Sequence, residues 1–278
     1  MEIKTIYKYE SDFPFLLKQI NDPPEKIYVK GSLPNKDSKI LAVVGARKNS
    51  EYGSIVCEKI IRGLKGYNIC IVSGLALGID SIAHRIALEC GIQTIAFPGS
   101  GLNDDVLYPR NHSALAEEIL NRGGGLSSEF ENNQVGAYWT FPKRNRLMAG
   151  ISHATLIIEA ELQSGTLITS KLASEYNRDV GVVPGSILSS LSDGPNMLLR
   201  LGAIPIRNSE DVLEMLGIKY INENNKQNVL PLDLTDNEKK IYEIKSRGIQ
   251  NIENIIEQSG LNIVDFNIAM TGLEMKGL

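Results

Sequence analysis

The chain has 278 residues, 42% of them hydrophobic and 22% charged, with a formal net charge of −4. That length supports one sizeable α/β core plus a small appendage, and the mild acidity excludes a protein that is basic all over, so any nucleic-acid site must be a local patch. The N-terminus lacks the apolar region of a signal peptide and no apolar run reaches membrane-spanning length, which makes the cytoplasm the expected compartment and a membrane partner unexpected.

Residues 1–39 are polar and interrupted by proline; Phe13 to Leu17, then Pro23-Pro24, then Lys26 to Gly31 predict a short helix, a turn and a strand leaning on the main domain. From 40 to 218 apolar runs alternate with helical patterns. Strands are expected at 40–45, 68–73, 92–97, 125–129, 154–160 and 180–183, and helices at 51–64, 80–90, 113–120, from 143, at 166–176 and at 209–216. This is the βαβ rhythm of an α/β, doubly wound, mostly parallel Rossmann-like sheet of roughly six to seven strands. Residues 219–229 are Asn-rich without apolar periodicity and read as a linker. Residues 230–278 form a second unit: Thr235-Asp236-Asn237-Glu238 opens a helix with a capping box, 249–258 gives another ending at Gly260, and 263–276 a third, a helix-turn-helix-like arrangement. Cys57, Cys70 and Cys90 are odd in number and lack Cys-x-x-Cys spacing, so they read as buried free thiols rather than disulfides or metal ligands.

In a doubly wound sheet ligands gather at the C-terminal strand ends around the point where strand order reverses. Five loops fall there. In Gly45-Ala46-Arg47-Lys48-Asn49-Ser50 a small-residue turn lets phosphate approach the backbone and Arg47 fork onto it; an exposed basic turn is the plain alternative. Loop 73–80 has glycines, but its G-x-x-x-G-x-D spacing fails the dinucleotide fingerprint. Asp80 there reads as the cap of the helix carrying His84, with a structural Asp80–His84 contact one turn apart and a general base as the competing role. The turn Pro98-Gly99-Ser100-Gly101 offers an anion nest, with Tyr108 and Arg110 adding a stacking face and a charge, unless it is simply a structural turn.

The fourth stretch runs from Trp139 to Gly150. With Pro142 at the first helical position, Lys143, Arg144 and Arg146 fall in the first turn, where the helix dipole is positive and each cation costs about 0.3–1 kcal/mol. A local rule broken without compensation points to function, and the missing compensation is an anion. Trp139 and Phe141 interleave with these cations, the pairing expected of single-stranded nucleic-acid binding, although either ring fits a core position. In the fifth loop the amides and hydroxyls of Ser164-Gly165-Thr166 can hold a phosphate, or Ser164 and Thr166 merely cap a helix.

These residues resemble the DprA/Smf family of DNA-processing proteins. The resemblance is carried by Gly45-Ala46-Arg47, Ser73-Gly74-x-Ala76-x-Gly78-Ile79-Asp80-x-x-Ala83-His84, Pro98-Gly99-Ser100-Gly101, Tyr108-Pro109-x-Asn111, Phe141-Pro142-x-Arg144-Asn145-Arg146, Glu159-Ala160, Ser164-Gly165-Thr166-Leu167-Ile168-Thr169 and Val183-Pro184-Gly185. It implies an extended Rossmann fold that binds single-stranded DNA without base specificity, protects incoming DNA, forms a homodimer and loads the RecA recombinase in natural transformation. Neither a cofactor nor catalysis is implied. Carried over by position, Arg47, Ser100, Arg110, Lys143, Arg144 and Arg146 would contact phosphates and Phe141 would stack on a base. Gly45, Gly101, Asn111, Asn145, Ser164, Gly165 and Thr166 complete the implied DNA-binding set. The dimer contact would fall near Ile204, Ile206, Val212, Leu213 and Leu216.

Two departures from the family pattern are expected. The residues before Phe13 leave no room for a sterile-alpha-motif-like domain, and the chain reaches Lys276-Gly277-Leu278 before a wing hairpin. Residues 219–278 hold seven Lys and Arg against nine Asp and Glu. A DNA-reading helix should be basic, so this unit is expected to contact protein instead. The competing function is that of a lysine-decarboxylase-like nucleotide phosphoribohydrolase, whose Gly-Gly-x-Gly-Thr-x-x-Glu loop would require an acid where Thr169 stands. A dehydrogenase would need a nicotinamide fingerprint that the sequence lacks.

Overall fold

The computed structural model describes residues 1–220, 234–246 and 252–275. They divide into two compact units, Met1–Tyr220 and Ile221–Leu278.

In the first unit, unbroken apolar runs make the central strands. β3 (Lys39–Val44), β4 (Ile69–Ser73), β5 (Gln93–Ala96) and β7 (Ala154–Ile157) are buried almost throughout, as helix layers on both faces of a parallel sheet require. β6 (Gly125–Ser128), β8 (Asp179–Val182) and the short β9 (Ile204–Pro205) extend the parallel set. β1 (Ile3–Tyr7) and β2 (Lys26–Gly31) join antiparallel, β2 pairing with β6. The sheet has nine strands in the order β1-β2-β6-β5-β4-β3-β7-β8-β9. The chain advances from β3 to β6, then returns to place β7 on the other side of β3. Strand order therefore reverses between β3 and β7, and a crevice opens at their C-terminal ends.

The helices follow from local signals. Ser50 caps α2 (Glu51–Arg62) by accepting the Gly53 amide at 3.1 Å, and Cys57, Ile60 and Ile61 form its buried stripe. On one face of the sheet Leu17 of α1 (Phe15–Lys18) packs with Phe13, Ile20 and the Leu147–Met148–Ile151 side of α5 (Thr140–Ile151). On the other, α2 packs with Ile79, Ala83 and Ile86 of α3 (Ile79–Glu89) and with Val212 and Leu213 of α8 (Ser209–Met215). The remaining helices of this unit are α4 (Ser113–Asn121), α6 (Gly165–Glu175) and α7 (Asp193–Arg200). Cys57 and Cys70 are buried free thiols, and burial pushes the Cys57 thiol up to about 12.

The architecture is the expected Rossmann-like one, with three corrections. The N-terminal residues do not merely lean on the sheet; they supply two of its strands, and β1, an edge strand in which only Ile3 and Ile6 are partly buried, carries too weak an apolar signal to announce itself. The five residues assigned to a dimer contact do not form a free surface. Ile206, Val212 and Leu213 are fully buried, Leu216 is 4% exposed and Ile204 packs against the same cluster. Their periodicity is that of a helix covering its own sheet, which looks the same in sequence as one covering a partner. Finally, Asp80 lies inside the first turn of α3, after Gly78 at φ +77°, and so is not its cap.

In the second unit the capping box forms as expected: Glu238 accepts the Thr235 amide at 2.6 Å and the Glu238 amide donates to the Thr235 hydroxyl at 3.4 Å. α9 (Asp236–Ser246), α10 (Ile252–Ser259) and α11 (Ile263–Met275) surround Leu234, Ile241, Ile244, Ile255, Phe266, Ala269 and Leu273. The expected linker at 219–229 and the expected helix start at 249 fall largely outside the described residues. No described helix is long and apolar enough to cross a membrane.

Candidate nucleic-acid interface

The crevice at the β3/β7 reversal has a volume of about 640 Å³, and its walls come from the loops after β3, β4 and β7 and from the first half of α5. Gly45, Arg47, Phe141, Arg144, Asn145, Ser164, Gly165 and Thr166 all line it, so most of the sequence-derived set converges. Arg47 and Lys48 are exposed there. The turn that presents them is clamped from below: Glu159, 2% exposed at the end of β7, accepts the Ser50 amide at 2.9 Å and the Ser50 hydroxyl.

α5 begins at Thr140, three residues before the cations, and Trp139 stands at its cap. Pro142 is the third helical residue, which costs no hydrogen bond because the first four amides of a helix have no partner within it. The cations therefore lie beyond the positive end of the dipole, and their compensation is visible. Arg144 is 4% exposed; its Nη1 donates to the carbonyls of Gly74 and Phe97, and its Nε donates to Asn145 Oδ1 at 2.9 Å. Its counter-charge is Asp80, 6% exposed, which also accepts the Gly74 amide at 3.1 Å. Burial lowers Arg144 to about 10 and raises Asp80, each opposed by the other's charge. A Cβ at Gly74 would collide with the Arg144 guanidinium, so this glycine is required by the arginine.

Arg146 points elsewhere. It donates to Glu129 and to the Asp22 carbonyl, with the Asp22 carboxylate 3.6 Å from Nε, and it is not among the residues lining the crevice. Two of the three cations of the motif are thus taken up by protein groups. Lys143 remains exposed, 3.8 Å from Glu129.

Phe141 is half-buried in a defined seat. The Arg47 guanidinium carbon lies 5.2 Å from its ring centre, Tyr108 packs 5.4 Å away at 52°, and a Cβ on Gly99 would strike the ring. A smaller recess on this side is lined by Leu77, Gly99, Tyr108 and Pro109.

The Ser100-Gly101 nest does not form as an open anion site. Ser100 is buried, its hydroxyl donating to the Gly101 carbonyl at 3.0 Å and accepting the Tyr108 amide at 3.2 Å, while the Gly101 amide donates to the Gln134 carbonyl at 2.8 Å. Gly101 instead fastens the loop before α5, and Ser100 holds the loop that carries Tyr108. Arg110 and Asn111 are exposed but lie outside the crevice lining, and Arg110 Nη2 donates to the Asp105 carbonyl at 3.2 Å.

At the fifth loop Ser164 caps α6, accepting the Thr166 amide at 3.2 Å, and Thr166 donates its hydroxyl to the Gly45 carbonyl at 3.2 Å. Asn145 Nδ2 donates to the Gly165 carbonyl at 3.3 Å, which ties α5 to the same turn. Gly165 itself is open on its outer side.

The expected Asp80–His84 pair is absent. His84 is buried, with Nδ1 2.7 Å from the Thr94 hydroxyl, and burial drives it down to about 3, so it stays neutral. Neither residue is arranged as an acid–base pair.

The sequence model of the family described as DNA recombination-mediator protein A matches residues 4–217. The chain belongs to this family. It is 40% identical to Protein Smf of Escherichia coli over 73% of its own length and 54% of that protein's, and 42% identical to DNA processing protein DprA of Streptococcus pneumoniae over 72% and 70%. Among solved structures, that of the S. pneumoniae DprA superposes with a TM-score of 0.72 at 36% identity, covering 80% of this chain and 76% of the other. DNA processing protein A of Helicobacter pylori, whose structure was described for its single-stranded DNA binding mode, superposes with a TM-score of 0.68 at 31% identity, covering 78% and 96%. The chain spans little more than half the length of the E. coli family member.

Within the family's matched region the structure adds crevice residues that motif spacing does not single out. Tyr138 and Gln163 line the crevice. Tyr138 is 92% exposed, and its only signal in the sequence is its place beside Trp139.

Proposed function

We propose that this chain binds single-stranded DNA without regard to sequence in the β3/β7 crevice and hands the strand to the RecA recombinase. The observation that carries the reading is the juxtaposition of two exposed cations, Arg47 and Lys48, with the seated ring of Phe141 at one crevice. Cations neutralise phosphates and release counterions, while the ring offers a stacking face common to all bases. A duplex hides its base faces and binds less well. Arg144 and Asn145 act behind this surface by holding the loops that form it, Gly101 fastens the loop ahead of α5, Ser100 holds the loop that carries Tyr108, and Lys143 and Arg110 extend the positive surface outside the crevice. The binding mode described for the H. pylori relative supports the ligand, and the family's description as a recombination mediator supports the hand-over.

The same reading makes the protein a binder rather than an enzyme, acting in the cytoplasm. Asp80, a carboxylate facing the crevice, is engaged by the Gly74 amide and Arg144, which argues against glycosidic cleavage. We place a homodimer contact on side chains flanking α7, where Ile187, Leu188 and Leu201 are 87%, 93% and 75% exposed.

The test is a titration of labelled single-stranded and duplex oligonucleotides across a salt series, with nucleotide turnover followed in the same samples. Preferential single-strand binding that weakens steeply with salt is expected; equal affinity for both forms, or turnover of free nucleotides, overturns the reading.

A further inference from the structure

Outside the crevice the loop leading into α5 exposes a second aromatic surface. Tyr138 is 92% exposed and Trp139 54%, although both are large rings that ordinarily gain from burial. Tyr138 stands at the crevice lining, and Trp139 is not among the residues that line it. Its ring meets Phe130 edge to face at 5.6 Å and 85°, which fixes its orientation while leaving more than half of it in water. One helical turn on, Lys143 Nζ lies 5.7 Å from the same Phe130 ring, so Trp139 and Lys143 are gathered about one buried aromatic residue. Of the acids nearby, Asp22 pairs with Arg146 and Glu131 is bonded to Lys26 and the Tyr28 hydroxyl, while Glu129 accepts from Arg146 and also pairs at 3.8 Å with Lys143, which stays exposed.

We propose that Tyr138 and Trp139 form a second stacking step for a single-stranded polynucleotide leaving the crevice, with Lys143 contacting its phosphate. This rests on the single-strand reading above. The occupant follows from continuity and charge: Tyr138 borders the crevice that holds Phe141, the next residue carries the surface outward over the N-terminal end of α5, where phosphate is favoured, and a cation stands one turn further on. A protein partner would not need the surface to begin at the crevice.

Trp139 is the single tryptophan of the sequence, so its emission reports this step directly. The full chain is titrated with a fluorescein-labelled thymidylate oligomer of about 20 nucleotides, following label anisotropy and, with unlabelled oligomer, tryptophan emission. Quenching of Trp139 with the midpoint of the anisotropy curve is expected. Trp139→Ala and Tyr138→Ala should each weaken binding about 5- to 10-fold, and Trp139→Phe should restore most of it. Tyr138→Ala serves as the second variant because so exposed a ring contributes little to folding. Intact binding with unchanged tryptophan emission, or unchanged affinity in both alanine variants while Phe141→Ala loses affinity, overturns the second step and leaves the crevice reading standing. A wild-type chain that binds no single strand overturns both.

Discussion

Two pairs of cations, one on the turn after β3 and one on α5, behave in opposite ways. Arg47 and Lys48, on the turn after β3, are exposed, and Arg47 is held only loosely, above the Phe141 ring. Arg144 and Arg146, on α5, are buried at 4% and 9% exposure and are engaged by carbonyls and carboxylates from distant parts of the chain. Arg47, Arg144 and Arg146 all belong to the motifs that carry the family resemblance. A cation in a motif can therefore serve the ligand directly or build the surface that meets the ligand, and substitution of the two kinds should fail in different assays.

The largest effect is expected at the buried pair. Arg144→Met leaves Asp80 without its counter-charge and the Gly74 and Phe97 carbonyls without a donor, and should cost about 3–5 kcal/mol in urea unfolding. In the double variant with Asp80→Asn the loss should be smaller than the sum of the two single losses. A fully stable Arg144→Met protein would erase the distinction drawn between the pairs.

Next comes the ring between the two pairs. Phe141→Ala should weaken single-strand binding by about 1–3 kcal/mol while leaving the slope of log affinity against log salt unchanged. Anisotropy titrations at several salt concentrations read both quantities, and a changed slope would mean that the ring also positions a group that meets phosphate.

On the buried side acid should act through His84. His84 is held neutral in the folded state at about 3, against an ordinary value near 6.5. Its unfolded form binds the proton first, so the stability it contributes is present above about pH 6.5 and declines as pH falls towards 3, by up to about 1.4 kcal/mol per pH unit. Urea midpoints measured at stepped pH check the direction, and His84→Asn should flatten the dependence.

The smallest effect on stability belongs to the exposed pair. Arg47→Ala should shift unfolding by no more than about 1 kcal/mol yet lower the salt slope by about 0.7 for each phosphate that the arginine neutralises in the wild-type complex. Together with Arg144→Met this separates a ligand-facing cation from a supporting one.

Much of the molecule is legible before folding is considered. The apolar runs from 40 to 183 name the parallel strands β3 to β8 though not the two-residue β9, Ser50 and Ser164 announce the starts of α2 and α6, and Thr235 and Glu238 the start of α9. The glycine turns at 45 and 165 and the ring at 141 meet at one end of the sheet, as the strand-and-loop pattern implies. The start of α5 lies two residues before the Pro142 expected to open it, because a proline at the third helical position removes no hydrogen bond from the helix either. The dimer assignment fails because an apolar helix stripe does not say which surface it covers.

What the sequence determined by itself is the set of elements and the end of the sheet at which the functional loops gather, since strand runs, helix stripes and caps depend on neighbours a few residues away. What only the tertiary structure decided is which polar side chains remain available. Arg144 finds its partners 47 and 70 residues away along the chain, and Arg146 is held by Asp22, 124 residues away. A guanidinium buried among such groups is satisfied by the protein itself, while Arg47, bearing the same charge, still faces solvent; no local pattern distinguishes the two, because the distinction lies in desolvation and in partners that meet only when the sheet is assembled.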